Sequence, residues 1–359
     1  MRFLFFIFIF INVSISSQFN SNFNTLIWSD EFTGIGMIDT VKWHHQILLP
    51  NGNSWWNGEQ QHYTNSITNS YQNNGLLTIV ARKEIFTDQG VTKNYTSARL
   101  NSKFAFTYGR VEVRAKLPSG DGTWPAIWTL GKNITENGGY WYSSHGTTNW
   151  PACGEIDIME HWGHNANYIQ SALHNTFSSG NTINHGGTMA NNVTNDFHLY
   201  AMEWTENEIK FSLDSVVFYE YNPQPKNIAN WPFNDDQYLL INIAMGSTWF
   251  TIDPFFSSSK MEVDFVRVYQ EAPTEIHTTN NQKDFKIYPN PFTKEINFEL
   301  TVSQPFKKAI LYSSMGQEIK CFLNEIELEN YPWEYLKSGN YFIRLVTLKK
   351  SDTYKIVKF

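Results

Sequence analysis

The residues in this sequence best suited to chemistry are three carboxylates in the segment GEIDIMEHWG, residues 154–163. Glu155 and Asp157 alternate with isoleucines, which is the period-two pattern of a half-buried strand. Simple alternation would put Glu160 on the opposite face from Glu155, because five steps along a pleated strand reverse the side. A β-bulge around Met159 would restore the register and bring all three acids to one surface, and bulges are common beside active sites.

Three acids crowded on one surface have a chemical consequence. Their negative charges repel, so at least one acid should keep its proton near neutral pH. A protonated acid beside an ionised carboxylate is the combination that cleaves glycosidic bonds. The alternative is a sandwich strand that only shows an acidic face to water, which is common on antiparallel sheets. The neighbours favour the first interpretation, since the rings of Trp124 and Trp128 can stack on the apolar faces of sugars.

The segment WPACGEIDIMEHWG, residues 150–163, resembles the signature of glycoside hydrolase family 16 in its bulged, laminarinase-like form. The resemblance covers residues 25–270 and implies an all-β fold, a concanavalin-like β-jelly-roll sandwich with an open cleft. It also implies a retaining, endo-acting mechanism. In that mechanism Glu155 is the nucleophile and Glu160 is the general acid and base. Asp157, between them, would hydrogen-bond to Glu155.

The same resemblance extends to residues that would contact the substrate. A loop and strand at residues 55–63 match a substrate-contacting segment, and an arginine, two tryptophans and a histidine match residues of the cleft. The substrate-binding residues implied in this way are Asn57, Glu59, Arg99, Trp124, Trp128 and His174. Structural alternatives stay open for three of them: a surface arginine without a role, core packing for Trp128 and a structural histidine.

These matches favour β-1,3-glucan of the laminarin type, or mixed β-1,3/1,4-glucan, as the substrate. Agarases and carrageenases share the fold and the bulged motif, so a galactan hydrolase is an alternative, and a non-catalytic glycan-binding protein is another. Residues 285–359 carry 11 basic and 8 acidic side chains, whereas residues 1–284 carry 16 and 26. The acidic main part argues against nucleic-acid binding, which needs a basic surface. It also makes a sulfated glycan less attractive.

The beginning of the sequence indicates export. Met1 and Arg2 precede an apolar run at residues 3–13, and small residues follow. This is the form of a secretory signal peptide over residues 1–17, too short to span a membrane comfortably. The protein is therefore expected to be secreted or attached to the cell surface.

The remaining chain is expected to hold two domains. The catalytic domain would occupy residues 18–270, and the polar segment 271–284 has the composition of a linker. Residues 285–359 contain short strand patterns with the pieces YPNPF and SGNYFIRL, and they resemble the C-terminal sorting domain of type IX secretion substrates. The resemblance implies the type IX secretion machinery as a partner. The alternative is a small immunoglobulin-like carbohydrate-binding module.

The implied mechanism needs no organic cofactor. Glu31 and Asp264 could contribute to a structural calcium ion of the kind found in many family members, since oxygen ligands suit that ion. Salt-bridged or solvated acids are the alternative. Cys153 and Cys321 fall in different predicted domains and are expected to stay unpaired. A monomer is expected.

Overall fold

The computed structural model describes residues 21–50, 52–271, 285–300, 306–314, 316–347 and 351–359. The predicted signal peptide, and the predicted linker apart from its first residue, lie outside these residues. Strands make up most of the regular structure of the described part, and its helices are short, so the predicted all-β fold class is confirmed. No helix in the described part is long and apolar enough to cross a membrane.

The described residues form 23 strands and two short α-helices. In chain order the strands are β1 (Phe23–Asp30), β2 (Trp43–His45), β3 (Gln61–Tyr63), β4 (Ser70–Asn73), β5 (Leu76–Asp88), β6 (Val91–Ser97), β7 (Arg99–Phe106), β8 (Gly109–Lys116), β9 (Thr123–Gly131), β10 (Glu155–His161), β11 (Tyr168–His174), β12 (His185–Met189), β13 (His198–Trp204), β14 (Ile209–Leu213), β15 (Val216–Tyr221), β16 (Gln237–Met245), β17 (Ser258–Glu271), β18 (Phe285–Tyr288), β19 (Asn297–Leu300), β20 (Phe306–Ser313), β21 (Glu318–Phe322), β22 (Gly339–Thr347) and β23 (Ser351–Lys358). The helices are α1 (Tyr142–His145) and α2 (Glu325–Glu329), and single 3₁₀ turns lie at Trp56–Gly58, Gly163–Asn165 and Trp333–Tyr335.

Strands β1–β17 form two sheets. One has ten strands in the order β15-β14-β13-β8-β17-β5-β6-β3, with β1 beside β17 and β4 beside β5. The other has seven strands in the order β12-β11-β10-β9-β16-β7-β2. Because β16 contacts β5 and β6, and β10 contacts β13, the two sheets pack face to face as a sandwich.

The inner face of the seven-stranded sheet is apolar because side chains alternate along each strand. Ile127 on β9, Ile156 on β10 and Ile241 on β16 are each 0% exposed. Burying a side chain of this size contributes about 1.5–3 kcal/mol. The next residue along each strand points the other way, to a surface that we call the outer face.

The outer face brings the predicted catalytic residues together through strand register. Asp157 of β10 lies opposite Trp128 of β9. On the other side of β10, Glu155 lies opposite His174 of β11. Trp128 and His174, which lie on other strands, therefore share one surface with the three carboxylates of β10.

The outer face continues from β9 across β16 to β7. Asn242 of β16 lies opposite Ala126 of β9 on one side and opposite Arg99 of β7 on the other. Trp124 is two residues from Ala126 and so shares its face. Arg99 is thus three strands from β10, which corresponds to about 14 Å at the usual spacing between strands.

By its contacts the described chain divides into two compact units, and the second consists of residues 22–30 and 267–359. Beyond β17 this unit contains the pair β18-β19 and a four-stranded sheet in the order β21-β20-β22-β23. It has its own hydrophobic core, formed by Phe285, Phe292, Ile296, Ala309, Leu311, Phe322, Leu328, Trp333, Ile343, Leu345 and Ile356. The additional C-terminal β domain that the sequence predicts is present.

Candidate active site

The bulge predicted in β10 is present, and it decides where the carboxylates point. The register against β9 shifts between Asp157 and Met159, and the register against β11 shifts between Asp157 and Glu160. Ile158 and Met159 are 2% and 0% exposed, so the extra residue is accommodated in the interior. Glu155, Asp157 and Glu160 are thereby brought to the outer face.

Glu155 and Glu160 each accept a hydrogen bond from an indole. Nε1 of Trp150 donates to Oε2 of Glu155 at 3.0 Å, and Nε1 of Trp124 donates to Oε1 of Glu160 at 3.0 Å. Trp124 belongs to β9, whereas Trp150 comes from the loop that precedes β10. Each bond holds one carboxylate oxygen and leaves the second for other partners.

His174 contacts both Glu155 and Asp157. Its Nε2 lies 3.1 Å from Oδ2 of Asp157 and 3.6 Å from Oε1 of Glu155. Burial by itself would lower the pKa of His174, but the neighbouring carboxylates, first Glu155 and then Asp157, raise it to about 9. The neighbouring carboxylates therefore favour the protonated form of His174, and its contact with the substrate stays a prediction. The predicted hydrogen bond between Asp157 and Glu155 stays a prediction.

Glu155 and Glu160 have pKa values raised in the same direction but differ in the side chains that contact them. Burial raises the pKa of both Glu155 and Glu160, and the negative charge of Asp157 raises it further. The positive charge of His174 acts in the opposite direction, and it lies in contact with Glu155. A protonated His174 in contact with Glu155 favours the ionised form of Glu155, and a charge on Glu155 raises the pKa of Glu160.

Glu155, Asp157 and His174 also have the composition of a metal site. Within the described residues they form a group whose ligand atoms all lie within 4.8 Å of one another. A metal ion would need a neutral imidazole, because only the unprotonated nitrogen can bind it. In this structure Nε2 of His174 contacts both carboxylates directly, as in a network of ion pairs.

Arg99 lies between two indole rings on the outer face. Its guanidinium carbon is 4.8 Å from the ring centroid of Trp128 and 5.2 Å from that of Trp55. Nη2 of Arg99 donates to Oε2 of Glu136 at 2.8 Å. The residue is only 4% exposed, so it is a buried arginine and the alternative of a surface arginine is wrong.

Trp128 faces the outer side of the sheet and is half-buried. Its Nε1 donates to Oδ1 of Asn242 at 2.8 Å, and Nδ2 of Asn242 donates to the hydroxyl of Tyr63 at 3.1 Å. Because it stands opposite Asp157 in the register, its ring borders the carboxylates. Trp128 also packs against the buried cluster that contains Leu130 and Leu240, so the alternative of core packing stays open beside its predicted role in the cleft.

Asn57 and Glu59 lie at the edge of this network. Asn57 is exposed and has a φ of 57°, within the 3₁₀ turn that precedes β3. Glu59 accepts hydrogen bonds from Nε2 of Gln61 at 2.7 Å and from the hydroxyl of Tyr63 at 3.2 Å. Burial raises the pKa of Glu59 to about 7, although Gln61 and the charge of Arg99 lower it.

The two predicted calcium ligands differ in their surroundings. Nη1 of Arg114 lies 2.6 Å from Oδ2 of Asp264, so this carboxylate already has a cationic partner. Glu31 is half-buried. Calcium usually takes six to eight oxygen ligands, and two carboxylates are a small part of such a set. The calcium site stays a prediction.

Two residues of the site were not found from the sequence. Glu136 stands in a segment rich in glycine, serine and threonine, where an isolated acid gives no signal. Asn242 lies within the apolar strand pattern YLLINIAMG, residues 238–246, and interrupts it. That interruption was a usable signal, because a polar side chain in a buried strand needs a partner.

Double displacement at a glycosidic bond needs one ionised and one protonated carboxylic acid on the same surface. The outer face supplies two carboxylic acids with different contacts, Trp150 and His174 at Glu155 and Trp124 at Glu160. A glycoside hydrolase is the class of protein that this fold and site define. Residues 57–267 match the Glycosyl hydrolases family 16, and the chain belongs to that family.

Known proteins of this family are similar over about two thirds of the chain. A beta-glucanase from Rhodothermus marinus is 38% identical over 259 residues, which cover 68% of this chain and 85% of the relative. A keratan-sulfate endo-1,4-beta-galactosidase from Sphingobacterium multivorum is 34% identical over 255 residues, which cover 68% of this chain and 55% of the relative. Among solved structures, a LamA variant from Zobellia galactanivorans in complex with laminaritriose and laminaritetraose is 49% identical, with a TM-score of 0.65, and the match covers 69% of this chain and 100% of that one.

The C-terminal part of the chain matches a separate family. Residues 286–358 match the Secretion system C-terminal sorting domain. The predicted sorting domain is therefore confirmed, and the protein is exported by type IX secretion. Cys153 is buried as a free thiol, so the two cysteines of the sequence do not form a disulfide with each other.

Proposed function

We propose that this enzyme is an endo-acting hydrolase of β-1,3-glucan of the laminarin type, with mixed β-1,3/1,4-glucan as a related substrate. The observation that carries the proposal is that Glu155 and Glu160 share one surface and have different partners. Nε2 of His174 lies 3.6 Å from Glu155, and the indole of Trp124 donates a hydrogen bond to Glu160. The similarity to a beta-glucanase and to a LamA variant bound to laminaritriose supports the choice of glucan.

In the first step Glu155 attacks the anomeric carbon through the oxygen that Trp150 does not hold. The glycosidic bond breaks as the bond to Glu155 forms, and Glu160 gives its proton to the leaving oxygen. The product of this step is a glycosyl-enzyme, and the shortened chain leaves as an alcohol. His174 keeps Glu155 ionised before the attack because its charge favours the carboxylate.

In the second step Glu160, now ionised, takes a proton from water. The hydroxide oxygen bonds to the anomeric carbon, the ester to Glu155 breaks, and both acids return to their first states. Two displacements at the same carbon retain its configuration. The indole of Trp124 stabilises the ionised Glu160 during this interval through its hydrogen bond of 3.0 Å.

A galactan substrate is the main competing proposal. It is supported by the similarity to a keratan-sulfate endo-1,4-beta-galactosidase. The excess of ten acidic side chains over basic ones in residues 1–284 opposes it, because a sulfated chain would be repelled. A non-catalytic glycan-binding role gives no reason for two half-buried acids with raised pKa values on one surface.

The experiment that tests the proposal is release of reducing sugar by the whole chain from laminarin, mixed-linkage glucan, agarose, carrageenan and keratan sulfate. Glu155→Gln is the inactive reference. Glu112→Gln removes an arginine-paired glutamate on β8 of the other sheet and serves as the matched control. Fast release from laminarin by wild type and Glu112→Gln supports the proposal. Release only from a galactan would overturn the substrate, and binding without release would overturn the reaction.

We also keep two further proposals for the exported protein. The first is that it is a monomer, which sedimentation of the purified chain would test. The second is that calcium binds at Glu31 and Asp264. A rise in melting temperature with calcium that is lost in Asp264→Asn would support it, and an unchanged melting temperature would contradict it.

A further inference from the structure

The carboxylate of Glu136 joins two residues at the β7 side of the outer face. Its Oε1 accepts a hydrogen bond from Nε1 of Trp56 at 2.9 Å, and its Oε2 accepts one from Nη2 of Arg99 at 2.8 Å. Glu136 is 7% exposed and Arg99 is 4% exposed. Each oxygen of the Glu136 carboxylate thus accepts a hydrogen bond at a position largely shielded from water. Hydrogen bonds to a charged group are strong in such surroundings.

The backbone around Glu136 is itself held in place. Ile134 is 5% exposed, and Thr135 N donates to Thr148 O at 3.0 Å. Gly139 N donates to the carbonyl oxygen of Glu136 at 3.1 Å. The carboxylate is therefore presented by an anchored turn and does not adapt freely to its partners.

Trp56 and Arg99 depend on this carboxylate to different degrees. Trp56 is 46% exposed, and its bond to Glu136 limits rotation of its ring. Arg99 would remain between the rings of Trp55 and Trp128 without Glu136, but its buried charge would lose its contact carboxylate. Loss of Glu136 should therefore release the exposed ring and weaken the support of the arginine.

We propose that Glu136 is a positioning residue that fixes Trp56 as a platform for a sugar ring distant from the bond that is cleaved. The inference rests on the proposed function, since it needs a polysaccharide in the cleft. Arg99 is three strands from β10, about 14 Å at the usual strand spacing. A sugar ring bound at this end of the outer face is therefore about two or three sugar units along the chain from the ring whose bond is cleaved. Glu136 thus acts on the binding of long chains and leaves the chemical step untouched.

The kinetic test compares Glu136→Gln with wild type on laminari-oligosaccharides of two to seven units. Glutamine keeps the size of the side chain and removes one charged acceptor. We expect KM to rise about tenfold for the longer substrates, the usual effect of losing a charge-assisted hydrogen bond. The value of kcat and the pH profile should stay unchanged, and so should kcat/KM for the shortest substrate that is cleaved. Glu112→Gln, which removes a partner of Arg110, should change neither constant.

Equal loss of kcat/KM at every chain length, or no change at any length, would overturn the proposal. A spectroscopic test makes the result independent of the substrate. The indole N–H resonance of Trp56, assigned with Trp56→Phe, should move in Glu136→Gln and stay in place in Glu112→Gln. An unchanged resonance would overturn the positioning role even if wild type cleaves laminarin. If wild type fails on laminarin while the resonance moves, the substrate proposal fails and the orientation of Trp56 by Glu136 stands.

Discussion

Replacement of His174 by glutamine tests the division of roles between the two glutamates. The substitution removes a cation that lies 3.6 Å from Glu155 and 3.1 Å from Asp157. Glutamine keeps hydrogen-bonding atoms but carries no charge. Because His174 favours the ionised form of its neighbours, its loss must raise the pKa of the nucleophile.

The size of the effect follows from two independent figures. At 3.6 Å and an effective dielectric constant of about 20, two unit charges attract by about 4–5 kcal/mol. The rise in the pKa of His174 from 6.5 to about 9 corresponds to about 3 kcal/mol. Several carboxylates share this coupling, so Glu155 alone should shift upwards by about one to two pKa units.

The assay is kcat/KM for laminarin between pH 4 and pH 10. The rate needs Glu155 ionised and Glu160 protonated, so it should follow a bell-shaped curve whose limbs belong to the coupled pair. In His174→Gln the acid limb should move to higher pH by about one to two units and the basic limb by less, which narrows the curve. His62→Gln is the control, since His62 is also buried but contacts Val91 on β6. An acid limb that stays where it is in His174→Gln would refute the reasoning.

Three further predictions concern the buried acids and the buried thiol. Glu155→Gln should lower hydrolysis by more than about a thousandfold while circular dichroism, and the melting temperature at pH 4, stay close to those of wild type; substantial turnover would refute the assignment of Glu155 as nucleophile. Burial raises the pKa of Glu160 above its unfolded value of 4.5, so the charged form destabilises the fold progressively as pH rises above that value. Glu160→Gln should therefore raise the melting temperature at pH 9 and leave it unchanged at pH 4, as measured by calorimetry. A melting temperature that falls at pH 9 would contradict this reasoning. Burial raises the pKa of Cys153, which is 2% exposed, so a thiol reagent at pH 8 should leave it unlabelled in the native protein by mass spectrometry and leave activity intact.

The bulge of β10 could be predicted because the sequence contains a contradiction that only a bulge resolves. Two acids separated by five positions cannot share a face of a regular strand. The isoleucines fix which face is buried, so the extra residue has to lie after Asp157. The shift of register between Asp157 and Met159 is where this reasoning puts it. Local spacing was sufficient here because the conflict and its solution lie within one strand.

The contacts made by Trp150 and Glu136 could not be predicted from spacing. Trp150 reaches Glu155 from the preceding loop, and its exposed ring gives no periodic signal. Glu136 is 37 residues from Arg99 and 80 from Trp56. Pairings of this kind depend on where a loop crosses the sheet, which side-chain alternation does not encode.

The two faces of strand β10 also explain how the fold tolerates the energetic cost of these acids. Glu155 and Glu160 are costly residues, because burial disfavours their charged forms. On the inner face of the same strand, Ile156 and Ile158 are 0% and 2% exposed. Each contributes about 1.5–3 kcal/mol by leaving water, an amount comparable to the penalty of a raised carboxylate pKa. The inner face therefore holds β10 in the sheet while the outer face is left for chemistry, and an Ile158→Ala variant should lose stability without a change in the pH profile of the acids.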